Sequence, residues 1–221
     1  MKAFLIPGLG SDRRLYDNYL PIAGVDSEVI ELIEVSGKES WEEYVSRYER
    51  QIDTSEDFIL IGTSLGGIIS VELAKRLQPK LVILISSLKS QSELPAWMKI
   101  LRFIPLHRLI PGKWLLVTHI WHFKWLRRRS KSKKLDLMID MAKKTSPAFV
   151  AWTAKRVVGW KNKSIAKNII HIHGDKDRLF PIRYIENAEA IKGGSHVMVL
   201  YRSKEIASRV GLAIKELIQD S

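Results

Sequence analysis

The sequence predicts an α/β protein, a mostly parallel sheet with helices on both faces and a helical insertion late in the chain. Short apolar runs alternate with segments of helical period over the first 85 residues. The runs are apolar throughout rather than every second residue, as in strands buried on both faces. The alternation stops at about residue 88 and resumes at about residue 168. We therefore expect one domain over 1–221, with a core of 1–87 and 168–221 and a helical insertion over 88–167.

The expected strands lie at 3–6, 28–32, 58–61, 81–85, 169–173 and 189–191. A short helix is expected over 13–20, behind the capping residue Asp12. Ser40 and Glu43 form a capping-box pattern for a helix that runs to about 52. Pro79 ends the helix after the third strand. Pro95, Pro105, Pro111 and Pro147 break the insertion into helices. The last helix, over 204–218, is expected to put Ile206, Leu212 and Leu217 on one side.

Gly62-Thr63-Ser64-Leu65-Gly66 follows the third strand without a spacer and leads straight into a helix. G-x-S-x-G alone is a weak pattern. Between strand and helix it is a nucleophile elbow, which lifts a serine hydroxyl clear of the sheet at a helix N-terminus. Two later loops carry chemistry: His173-Gly174-Asp175-Lys176-Asp177, with Pro181 beyond it, and Gly193-Gly194-Ser195-His196. Near the start, Ile6-Pro7-Gly8-Leu9-Gly10 leaves the first strand.

These four motifs, in this order and each at a strand's C-terminal end, resemble the α/β-hydrolase family over nearly the whole chain. The resemblance implies a Ser-Asp-His triad of Ser64, an aspartate and His196, with the N–H groups of Leu9 and Leu65 as the oxyanion hole. It is a short form, without the family's leading antiparallel strands, and the resemblance makes the insertion over 88–167 a helical cap. Pro7 stands where the family commonly has a histidine. Asp175 and Asp177 both follow the acid strand. The family's G-x-x-D spacing favours Asp177. Asp175, directly after Gly174, is placed to begin a turn and bond its own backbone two residues on.

The roles follow from acid–base chemistry. A serine hydroxyl is a poor nucleophile until a base takes its proton. Histidine can do so near neutral pH, and an aspartate on its other nitrogen fixes the tautomer. The expected activity is hydrolysis of a carboxylic ester or thioester of a small or medium apolar acyl substrate. C–C bond hydrolysis or cofactor-free perhydrolysis on the same triad is the alternative, and a non-catalytic binding protein on this scaffold is another.

The chain has no cysteine, no P-loop pattern, and no third glycine to complete a dinucleotide fingerprint at Gly8-x-Gly10. We expect no cofactor and no metal. His119 and His122 are three apart, but no nearby carboxylate or cysteine completes a metal site. His171 and His173 read as structural. No stretch is apolar enough for a signal-peptide core or a transmembrane helix, and we expect a cytoplasmic protein.

The net charge of +12 is unevenly placed. Residues 97–167 hold 18 lysines and arginines against Asp136 and Asp140 alone, while the rest holds 18 against 22 acids. The same segment carries six of the seven tryptophans. Trp97, Trp121, Trp125 and Trp152 are the candidates to line a substrate pocket. The basic run at 127–134 reads first as a solvated helix junction and second as a contact for an anionic membrane surface. With no nucleic-acid-binding motif, nucleic acid ranks last.

Overall fold

The computed structural model describes residues 1–22, 24–104, 110–130 and 133–219, without the side chains of Arg129 and Ser130. Pro105 and His107 lie outside the described residues, as do Lys131 and Ser132 of the basic run.

Six parallel strands form one sheet in the order β2-β1-β3-β4-β5-β6. They are β1 (Lys2–Ile6), β2 (Asp26–Val29), β3 (Phe58–Thr63), β4 (Leu81–Ile85), β5 (Ile169–Gly174) and β6 (Glu189–Ile191). The order reverses between β1 and β3, and the crevice beyond their C-terminal ends is where such sheets bind ligands. The loop from Pro7 and the turn at Ser64 both open there.

Alternate residues of the strands feed two cores. Phe4, Ile6, Leu60, Val82 and Leu84 pack on one face, under α1 (Trp41–Glu49) and α2 (Leu65–Leu77). Leu5, Ile59, Ile61, Ile83 and Ile85 pack on the other, under α8 (Ser203–Gln219). Every residue of β3 and β4 is buried, which is why both read as unbroken apolar runs. Among the described residues four α-helices lie between β4 and β5: α3 (Ala96–Phe103), α4 (Gly112–Ser130), α5 (Lys133–Lys143) and α6 (Pro147–Val158).

The α1 capping box forms as its sequence predicts, with Ser40 and Glu43 each accepting the other's backbone N–H. Three expectations need correction. The second strand occupies 26–29, not 28–32, because two tyrosines of α1 capture the chain beyond it. The Tyr48 hydroxyl accepts the Ile33 N–H at 2.9 Å, and Tyr44 donates to the Ile33 carbonyl at 2.9 Å. The helix expected over 13–20 is a single 3-10 turn at Arg13–Tyr16, capped by Asp12. On α8 the buried stripe is Ile206, Val210, Ala213 and Ile214, with Leu217 partly buried against it. Leu212 falls off that spacing and is 57% exposed. The short α7 (Met198–Tyr201) follows the histidine loop.

Candidate active site

Ser64 is the N-cap of α2, with φ 51° and ψ −114°. This is strained backbone for a residue with a side chain. The turn holds it there: the Ser64 N–H donates to the Ile85 carbonyl, and the Ser64 carbonyl accepts from the Ser87 hydroxyl at 2.7 Å. The first turn of α2 presses against the end of β1. A Cβ on Gly66 would stand 2.0 Å from the Ile6 carbonyl oxygen, so the elbow admits only glycine there. The Ser64 side chain makes no capping bond. Instead its Oγ lies 3.0 Å from His196 Nε2.

His196 Nδ1 lies 2.8 Å from Asp177 Oδ2. A carboxylate only accepts, so Nδ1 carries the proton and Nε2 is left bare to accept from Ser64. Asp177 is buried, and its Oδ1 accepts the Leu179 and Phe180 N–H groups, each at 2.9 Å. Burial pushes its carboxyl up, but His196, the His173 hydrogen bond and the Phe180 N–H outweigh it. The group is held below the usual carboxylate range.

Asp175 is occupied elsewhere, though not as expected. Its Oδ1 accepts the Gly193 N–H of the histidine loop at 2.7 Å. It is Asp177 that bonds its own backbone two residues on, at Leu179. The acid loop and the histidine loop interlock further, since Lys176 N–H donates to the Gly194 carbonyl at 2.8 Å. A Cβ on Gly174 would lie 2.2 Å from that same carbonyl oxygen.

Two buried histidines extend the line behind Asp177. His173 Nε2 faces the Phe180 carbonyl at 2.8 Å and Asp177 Oδ2 at 3.3 Å, both acceptors, so it carries a proton. His173 Nδ1 then accepts from His171 Nε2 at 3.1 Å. Burial, together with His173 and Lys89, pushes the His171 pKa well down, which keeps that ring neutral.

A cavity of about 470 Å³ opens over Ser64. Its wall is largely apolar, with Ile68, Leu101, Leu116, Phe123 and Met138 among the residues that form it. Leu9 and Leu65 line it beside Ser64, and neither backbone N–H has an acceptor among the described residues. Trp97 lines it too. Trp121, Trp125 and Trp152 do not. Trp121 and Trp125 are on the outward side of α4, where Trp125 stacks on His122. Trp152 packs between Trp41 and Tyr44, with ring centroids at 5.9 and 4.6 Å.

Sequence reasoning missed His119. Leu115, His119 and Phe123 recur at four-residue spacing along α4, and all three line the cavity. That periodicity was the available signal. His119 is exposed at the cavity wall, where its ring meets Phe123 edge-on with centroids 4.6 Å apart. Desolvation by the surrounding cavity wall, with smaller effects of His196 and His122, lowers its pKa to about 4, so it is neutral near pH 7. The Thr153 hydroxyl, also on the wall, is buried without a hydrogen-bond partner. Among the described residues no group of His, Asp and Glu is placed to hold a metal ion.

No protein-family model and no curated protein sequence matches the chain. Solved structures do. MenH from S. aureus superposes with a TM-score of 0.73 at 18% identity, covering 98% of this chain and 94% of that one. A thermophilic esterase from Thermogutta terrifontis gives 0.71 at 14%, covering 98% and 90%. An enol-lactonase from Burkholderia xenovorans gives 0.71 at 15%, covering 97% and 91%. The chain has the α/β-hydrolase fold.

Proposed function

We propose that the protein is a serine hydrolase that cleaves a carboxylic ester or thioester of an apolar acyl substrate. The observation that carries this reading is the continuous line from Ser64 Oγ through His196 to Asp177, at 3.0 and 2.8 Å. His196 Nε2 takes the Ser64 proton as Oγ attacks the acyl carbon. The oxyanion is held by the N–H groups of Leu9 and Leu65, at the positive end of α2. Losing one such donor commonly costs ~10²–10³ in rate. The imidazolium, opposite the Asp177 charge, then protonates the leaving alcohol or thiol. Water attacks the acyl-enzyme by the same route in reverse.

The substrate class rests on the cavity, whose apolar wall suits an acyl chain. The four inserted helices supply much of that wall and act in this reading as a cap. The solved neighbours include an esterase and an enol-lactonase, which is consistent with acyl chemistry. A fluorophosphonate probe tests the mechanism: it should label the protein, and Ser64→Ala should abolish labelling while the fold survives. A panel of p-nitrophenyl esters of graded chain length tests the substrate class. Labelling that persists in the variant, or moves to Ser11 or Ser86, defeats the assignment.

A further inference from the structure

The described residues expose fourteen large apolar side chains, and nine of them lie between positions 97 and 125. Such crowding marks a contact face, since an ordinary surface scatters these residues. On α4, Trp114 and Trp121 are 62% and 64% exposed. They are seven residues apart, so they share one side of the helix, while Leu116 and Phe123 face the cavity from the other. Ile100 on α3 and Ile104 directly after that helix are exposed, and Phe103 between them is 82% exposed. Trp97 and Ile110, 46% and 43% exposed, also line the cavity. The apolar face therefore runs up to the cavity's mouth.

The charges around this face select its partner. Lys113, Lys124 and Arg128 are exposed along α4. The two carboxylates of residues 97–167 cannot neutralise them, because Asp136 is bonded to Arg127 at 2.7 Å and Asp140 to Arg14 at 2.8 Å. Within the basic run itself, Lys134 Nζ donates to the Leu200 carbonyl, so part of that run is structural. Exposed indoles and aliphatic side chains beside uncompensated cations suit a lipid interface. The rings settle at headgroup depth and the cations meet anionic headgroups. No described helix is long and apolar enough to cross a membrane, so α3 and α4 would lie on the surface.

We propose that the outward face of α3 and α4 docks the protein on an anionic bilayer, and that the cavity draws its acyl substrate from that surface. The substrate half rests on the hydrolase reading above. The docking half does not.

The test mixes Ser64→Ala protein with vesicles of phosphatidylcholine alone and with vesicles that also hold phosphatidylglycerol. Binding should require the anionic lipid, shift tryptophan emission to the blue, and weaken steeply between about 50 and 200 mM salt. The pair Trp114→Ser with Trp121→Ser, and the pair Lys113→Glu with Lys124→Glu, should each weaken partition by about tenfold or more. Neither pair lines the cavity, so turnover of a water-soluble acetate ester by the corresponding proteins with Ser64 intact should match the parent. Equal binding to both vesicles, or none to either, overturns the proposal. So does a solution dimer that the tryptophan pair dissolves, which would make the face a contact between copies. Anionic-vesicle binding by a protein inert towards every ester and the probe would uphold docking and overturn the substrate half.

Discussion

Asp177 is shared by two histidines: besides His196, His173 reaches it from within the core, Nε2 to Oδ2 at 3.3 Å with both side chains fully buried. His173 touches neither Ser64 nor the cavity, so it acts by holding Asp177 and the Phe180 carbonyl in place. His173→Phe removes that N–H and should lower kcat about tenfold with KM nearly unchanged, an effect of the size of one lost buried hydrogen bond. His173→Gln keeps a donor and should recover much of the loss. If both variants lose stability equally and keep parental kcat, His173 is only a packing residue.

The two acid-loop aspartates divide the work. Asp177→Asn cannot enforce the His196 tautomer or face the imidazolium, and the corresponding change in a serine protease cost about 10⁴ in kcat. Asp175→Asn disturbs only the bond to the Gly193 N–H and should cost far less, through loop stability. Measuring kcat/KM for both on one activated ester, with thermal unfolding alongside, separates them. A crippled Asp175→Asn beside a near-parental Asp177→Asn would reverse the assignment.

Much of this architecture is legible in the sequence because its signals are local. The elbow declares itself in nine consecutive residues, and the central strands do so because burial on both faces leaves them no polar positions. What stays hidden is set by distant partners. The second strand ends early because hydroxyls of Tyr44 and Tyr48 reach Ile33 across more than ten residues. The sequence pattern at His173 cannot reveal a ring that meets Phe180 and Asp177 only after the loop folds back. Tryptophans suit a cavity, a core or an outward face equally well, so Trp121 and Trp152 are sorted only by how their helices are turned.

Histidines that the fold holds neutral make stability depend on pH. His119, lowered from 6.5 to about 4, and His171, pushed well down, are neutral when folded and protonate more readily in the unfolded chain. The unfolded state therefore binds more protons below about pH 6.5. Stability is full above that value and declines as pH falls towards 4. Asp177, held low in the fold, adds its own loss only below about pH 4. Melting temperature followed from about pH 7 to about pH 4.5 should fall, and His119→Gln should flatten part of the fall, leaving the share due to His171. An unchanged slope in the variant would mean that the His119 ring protonates freely in the fold.

Trp97 and Trp152 make opposite predictions from similar sequence contexts. Trp97 stands on α3 at the cavity wall with nearly half its surface open. Trp152 faces away from the cavity on α6, stacked among Trp41, Tyr44 and Phe149, and its indole N–H donates to the Glu39 carbonyl at 3.2 Å. Trp97→Ala enlarges the site without opening the core. It should move the preferred chain length of p-nitrophenyl esters upwards and leave melting within a few degrees, since little buried surface is lost. Trp152→Ala opens a void between α6 and α1 and should cost about 3 kcal/mol, towards the low end for tryptophan truncations because the residue is only partly buried. In a chain of this length that is a melting shift of roughly 6–12 °C. Its chain-length preference should match the parent, because the side chain does not reach the cavity. Kinetics across the ester series and melting curves on the same preparations check both. A changed preference in Trp152→Ala with unchanged melting would put that indole in the acyl site and send Trp97 back to the surface.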